Sequence, residues 1–180
     1  MSHPLITNYY RPIPMLSVIS FNTNSIRQRI HQLSVLIEKY NPDFIGIQET
    51  KVTDEDFPVA AINELGYHVH FHGQKTHYGV ALLSKHEFLS VEKGFPHDTE
   101  DSQRRIISGR FASPFGGEIT VINCYFPQGE CNQHPTKYPN KKNFYAALTQ
   151  SLNDNYSPSD QVFVMVVINF STTYYDIVIV

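Results

Sequence analysis

Residues 15–49 constrain the fold more tightly than any other part of the chain. Residues 15–21 (MLSVISF) form an apolar run that delivers Asn22 at its end. Ile26, Ile30, Leu33 and Ile37 then recur at spacings of four, three and four, which places them on one face of a helix with Asn24 or Ser25 as its cap. Pro42 ends that helix, and residues 43–48 (DFIGIQ) form a second apolar run that stops at Glu49. A strand, a helix and a strand in this order predict two parallel, adjacent strands, because a parallel pair needs a crossover connection of this length. The chain is therefore expected to be α/β.

The remaining pattern adds hairpins to that unit. A short helix is expected over 54–65, with acidic residues at its start and Gly66 just past its end. The period then changes to two: Tyr67, Val69 and Phe71 alternate with His68, His70 and His72, and residues 79–84 (GVALLS) complete a hairpin. A second hairpin is expected from 105–111 and 118–126, with Ser113, Pro114, Gly116 and Gly117 in its turn. Asn140 is expected to cap a helix whose apolar face is Phe144, Tyr145, Leu148 and Leu152. The run 161–168 (QVFVMVVI) reads as a strand covered on both faces. The three histidines share a strand face, but alternate positions lie about 6.5–7 Å apart, too far for three imidazoles to close on one zinc. They are read as a solvent-facing stripe.

A chain of 180 residues with 41% hydrophobic content supports one domain, expected over 15–180 and preceded by an extension at 1–14. No apolar run approaches a membrane span, and residues 1–14 lack the apolar centre of a signal peptide, so no membrane partner and a cytoplasmic setting are expected. Cys124 and Cys131 are read as ordinary reduced thiols. A net charge of −3 argues against a broad basic face for DNA, though Arg104, Arg105, Lys137, Lys141 and Lys142 gather in the second half and leave room for a local groove.

Asn22 and Glu49 fall at the ends of neighbouring strands. Their oxygen donors suit a hard cation such as Mg²⁺, which keeps several waters and leaves room for a substrate phosphate. Taken singly, Glu49 reads as a polar strand end and Asn22 as a cap. Residues 123–130 (NCYFPQGE) bring a third strand to a polar end, where Tyr125 and Gln128 could donate to a phosphate. A phosphate-ester enzyme is the first expectation.

With these segments together, the chain resembles the exonuclease III type of DNA-repair nuclease within the endonuclease/exonuclease/phosphatase superfamily. The resemblance rests on SFNTN at 20–24, PDFIGIQETKV at 42–52, LGYHVHFHGQKTHYGVALLSK at 65–85, QRRII at 103–107 and TVINCYFPQGE at 120–130. It implies a four-layer α/β sandwich of two mixed sheets packed face to face with helices outside, of which this chain holds the N-terminal part. It also implies that Asn22 and Glu49 hold the metal, Mg²⁺ with Mn²⁺ as the alternative, that Tyr125 contacts the scissile phosphate, and that Arg105 and Gln128 lie along the DNA. The implied partner is double-stranded DNA with abasic sites or 3′ ends, acted on by a monomer.

One motif departs from that pattern. The family has Gly, Asp, Met, Asn where this chain reads Val166, Val167, Ile168, Asn169, so Asn169 is kept as a catalytic residue while the expected aspartate is Val167. The family also continues past the length of this chain, supplying a further sheet, an aspartate and a histidine. Little or no catalysis is therefore expected of the chain as given. The alternatives are a catalytically dead DNA-binding module, a fragment that does not fold stably, and a small-molecule phosphodiesterase of the same superfamily, which QETKV and FPQGE disfavour.

Overall fold

The computed structural model describes residues 15–167 and 177–179; the expected extension at 1–14 and Asn169 lie outside these residues. The predicted opening unit is present: β1 (Val18–Asn22), α1 (Ile26–Tyr40) and β2 (Phe44–Gln48), with β1 and β2 parallel and Asn22 opposite Gln48. Ser25 is the residue at the N-cap of α1 and makes no side-chain cap bond, while Asn41 closes the helix in the left-handed conformation just before Pro42. Ile26 and Leu33 are fully buried, and Ile30 and Ile37 pack beside them, as the spacing predicts.

The chain continues through α2 (Val59–Glu64), β3 (His68–His72), β4 (Val80–Ser84), β5 (Ser90–Lys93), β6 (Ile106–Ala112), β7 (Glu118–Tyr125), α3 (Lys137–Asn155), β8 (Gln161–Val167) and β9 (Ile177–Ile179). The strands form two sheets, one in the order β3-β4-β2-β1-β9 and the other β5-β6-β7-β8, each mixing parallel and antiparallel pairs. Three buried clusters correspond to three interfaces: α1 and α2 on the first sheet, sheet on sheet, and α3 on the second sheet. That gives the four expected layers. Period-two alternation explains how one strand serves two clusters: in β7, Val121 faces the other sheet while Ile122 and Cys124 face α3.

Three local expectations are corrected. The helix expected over 54–65 is confined to Val59–Glu64, because the Asp54 carboxylate accepts the Gly73 N–H at 2.6 Å and pairs with Lys93 and Arg104, while Pro58 has no N–H to donate. Asn140 does not cap α3, which begins at Lys137 behind Thr136; Pro139 is tolerated there because a first-turn N–H has no helical partner. The histidine stripe is not wholly in solvent: His72 is half-buried, its Nδ1 lacks a partner, and burial with Arg104 nearby holds its imidazole below the ordinary value. β5 and β9 were not read from the sequence. Among the described residues, no helix is long and apolar enough to cross a membrane, and both cysteines are free.

Candidate active site

Glu49 leaves β2 in the left-handed region, at φ 53, and Lys51 follows at φ 54. Such angles are uncommon for residues with a Cβ and need outside support. Two segments supply it. The backbone N–H groups of Ser25 and Ile26 donate to the carbonyls of Glu49 and Thr50, at 2.8 and 3.1 Å, and the N–H groups of Thr50 and Lys51 donate to Gly79 and Tyr78, each at 3.1 Å. Gly79 is required here, since a Cβ at that position would collide with Thr50 Oγ1 and its φ is +81. The turn that aims Glu49 is therefore built by the residues after β1 and before β4.

Three side chains converge on the Glu49 carboxylate. Asn22 Nδ2 donates to Oε1 at 2.8 Å, the Tyr125 hydroxyl donates to the same oxygen at 2.7 Å, and Lys51 Nζ lies 3.0 Å from Oε2. Burial alone would raise this carboxyl. The bonds from Asn22, Tyr125 and Lys51, with the lysine charge, outweigh burial and hold it below its ordinary value. Glu49 is thus ionised and oriented at neutral pH.

Arg105 supports Tyr125 from behind. It is only 7% exposed, with its guanidinium carbon 4.1 Å from the Tyr78 ring centre and 4.7 Å from that of Tyr125. Its Nε donates to Gln103 Oε1 at 2.6 Å and its Nη1 to the Tyr125 carbonyl at 3.1 Å. Burial lowers its pKa from the usual arginine value, an effect that the neighbouring tyrosines oppose. Gln128 is exposed and lines a groove of about 160 Å³ together with Tyr78, Gln103, Arg105, Tyr125, Lys137 and Asn140.

Of the residues expected to form the site, Asn22, Glu49, Tyr125 and Arg105 are in one bonded cluster, and Gln128 lies at its rim. Parallel pairing puts Val167 of β8 opposite Tyr125, so position 167 falls at the strand end beside the cluster. Lys51, Tyr78, Gln103 and the amide pair Gln48 and Asn123 were missed as members or supports. The signal for the amide pair was present: each is an amide in an otherwise apolar strand, FIGIQ and EITVINCY.

The donor set can be tested against a divalent ion. Among the described residues there is no group of three or more His, Cys, Asp or Glu side chains that could hold a metal. The Glu49 carboxylate is a donor that fits a hard cation keeping most of its waters, whereas Asn22 turns its Nδ2 toward Glu49 and its Oδ1 accepts the Asn24 N–H at 3.1 Å, so Asn22 would join such a site only with its amide oxygen released from that turn.

Comparisons with known proteins agree with this architecture. The family described as Endonuclease/Exonuclease/phosphatase family matches residues 19–165. An exodeoxyribonuclease III from Haemophilus influenzae is 51% identical over 162 residues, covering 90% of this chain and 60% of that protein. A 3′ phosphatase from Neisseria, solved with a product DNA hairpin, superposes with a TM-score of 0.76 at 31% identity, over 84% of this chain and 57% of its own. An AP endonuclease from Archaeoglobus fulgidus gives a TM-score of 0.76 at 34% identity, over 84% and 56%. The chain thus spans less than two thirds of the length of these relatives.

Proposed function

The chain belongs to the endonuclease/exonuclease/phosphatase family, and on that premise we propose that Asn22, Glu49, Tyr125 and Arg105 form the phosphate-facing part of a DNA phosphodiester site of the exodeoxyribonuclease III kind. The observation that supports this most is the convergence of the Asn22 amide and the Tyr125 hydroxyl on one oxygen of an ionised Glu49. Glu49 and Asn22 would hold Mg²⁺ or Mn²⁺, which when bound supplies Lewis-acid polarisation of a phosphoryl oxygen. Tyr125 has one O–H, so a phosphate oxygen would take that bond from Glu49, which remains held by Asn22 and Lys51. Arg105 keeps the Tyr125 ring in place and adds positive charge behind it, while Gln128 and Lys137 face the groove where a strand backbone would run. The proposed partner is duplex DNA with abasic sites or 3′ ends, bound by a monomer in the cytoplasm.

Hydrolysis itself is proposed to be weak. The strand end opposite Tyr125 carries Val167, which can neither accept a proton from water nor hold a metal-bound water. Loss of a general base costs about 10²–10⁴-fold in rate. This observation favours a second reading, binding without cleavage. The test is a labelled duplex with a single abasic site, incubated with purified chain and Mg²⁺ across a salt series. Binding that weakens steeply with salt, with little incision, is the expected result. Robust incision would refute the weak-hydrolysis proposal, and absence of binding even at low salt would refute the DNA site.

A further inference from the structure

Two amide side chains cross between the sheets directly beneath the site. Gln48 and Asn123 are both fully buried, and Gln48 Nε2 donates to Asn123 Oδ1 at 2.6 Å. Asn123 Nδ2 then donates to the carbonyls of Ile47 and Ala81, at 2.9 and 2.8 Å, so one residue of the second sheet is bonded to two strands of the first. Gln48 Nε2 also reaches Ser20 Oγ at 3.0 Å and Gly46 O at 3.3 Å. Gly46 makes room for this crossing: a Cβ there would lie 2.7 Å from Asn123 Oδ1 and 2.8 Å from the Met165 methyl.

The position of the bridge relative to the site is its informative property. Gln48 is the residue before Glu49, and Asn123 is two residues before Tyr125 on the same strand. Glu49 and Tyr125 therefore sit on the free ends of two strands, in different sheets, tied together one step further in. Apolar contacts between sheets are non-directional and tolerate sliding, whereas a chain of hydrogen bonds to two strand carbonyls specifies one stagger. The bridge also leaves Gln48 Oε1 buried without a partner. A pair of apolar side chains would fill this space without that penalty, so packing alone does not account for the amides.

We propose that the Gln48–Asn123 bridge is a positioning device that fixes the separation of Glu49 and Tyr125 across the two sheets. Gln48 and Asn123 touch neither substrate nor metal; they act through the residues next to them. The functional meaning of this device rests on the nuclease reading above, but the device is testable without DNA or metal. The experiment is a double-mutant cycle in thermal unfolding. Tyr125→Phe removes the hydroxyl that bonds Glu49, and it is measured in the parent and in Gln48→Met, which keeps side-chain length and leaves the Asn123 bonds to Ile47 and Ala81 possible.

The midpoint shift caused by Tyr125→Phe is expected to be at least halved in the Gln48→Met background, because the hydroxyl and carboxylate no longer meet. An equal shift in both backgrounds would overturn the proposal and leave Gln48 as a stabilising residue only. If Gln48→Met gives no cooperative transition, Asn123→Leu, which removes the other half of the bridge at similar volume, takes its place with the same two outcomes. Reduced coupling in a chain whose parent does not bind abasic duplex would sustain the device while refuting the nuclease reading.

Discussion

Tyr125→Phe separates the hydroxyl from everything else that Tyr125 does. Phenylalanine keeps the ring that stands 4.7 Å from Arg105, and the Arg105 Nη1 bond is to the backbone carbonyl of residue 125. What disappears is the hydroxyl, with its 2.7 Å bond to Glu49 and its polar interaction with the Arg105 side chain. Hydrogen bonds to charged groups contribute roughly 1.5–3 kcal/mol net. The lower end or less applies here, since Glu49 retains Asn22 and Lys51, and its side chain is 18% exposed. We take about 1 kcal/mol, which for a chain of this size lowers the melting midpoint by about 2–4 °C.

The pH dependence gives the sharper test. Glu49 has a folded-state pKa below its ordinary 4.5, so the stability from its ionised, bonded form is present above the unfolded value and is lost as pH falls through the folded one. Losing the Tyr125 bond moves the folded value upward, toward the ordinary one. The gap between parent and variant is therefore full at neutral pH and closes in acid, well below 4.5, where Glu49 is protonated in both. Differential scanning calorimetry of both proteins over a pH series measures that gap. A gap of equal size at neutral pH and in strong acid would refute the ionic bond as the cause, and no gap at neutral pH would refute the bond itself.

Other perturbations test the surrounding parts. Arg105→Lys keeps the charge but loses the planar face over Tyr78 and Tyr125, and is expected to cost about 1–2 kcal/mol in a urea titration; wild-type stability would show that charge alone suffices. Lys51→Met removes the ammonium 3.0 Å from Glu49 and is expected to tighten Mn²⁺ binding several-fold, by roughly 1 kcal/mol, in an EPR titration; unchanged or weaker binding would place the ion away from Glu49. Gly46→Ala puts a methyl 2.7 Å from Asn123 Oδ1 and is expected to lower stability by about 1–3 kcal/mol; a neutral result in thermal melting would mean that the sheets can separate there freely.

Local pattern in the sequence accounts for much of the fold. The apolar spacing in α1, the alternation in β3 and the continuous run in β8 each reflect burial at a period set by the backbone, so they survive in the linear text. The start of α2 did not, because it depends on partners distant in sequence: Asp54 is used by Gly73, Lys93 and Arg104 rather than by a helix N-terminus. The start of α3 rests instead on His134 Nδ1, which accepts the N–H groups of Thr136 and Lys137. β5 was missed for a similar reason, since Ser90–Lys93 has one half-buried valine among exposed residues and is a strand only by pairing with β6. At the site, Asn22 and Glu49 were legible because each ends an apolar run. Lys51 and Tyr78 were not, because what makes them part of the cluster is a pair of turns in which the Lys51 N–H meets the Tyr78 carbonyl at 3.1 Å.

The same contacts bear on what Val167 does and does not remove. Among the described residues, the side-chain bonds to the Glu49 carboxylate come from β1, from its own turn and from β7. The bridge beneath the site likewise takes its hydrogen bonds, among the described residues, from β1, β2, β4 and β7. The ionised carboxylate, its donors and the Arg105 stack are thus bonded to one another directly, while β8 supports them through its backbone pairing with the strand that carries Asn123 and Tyr125. Under the proposed function, binding of a phosphate and activation of water would be separable: the first would depend on Tyr125, Arg105 and Glu49, and the second on a proton acceptor that valine cannot supply. For this reason the expected phenotype is retained, salt-sensitive DNA binding with strongly reduced incision, rather than simultaneous loss of both.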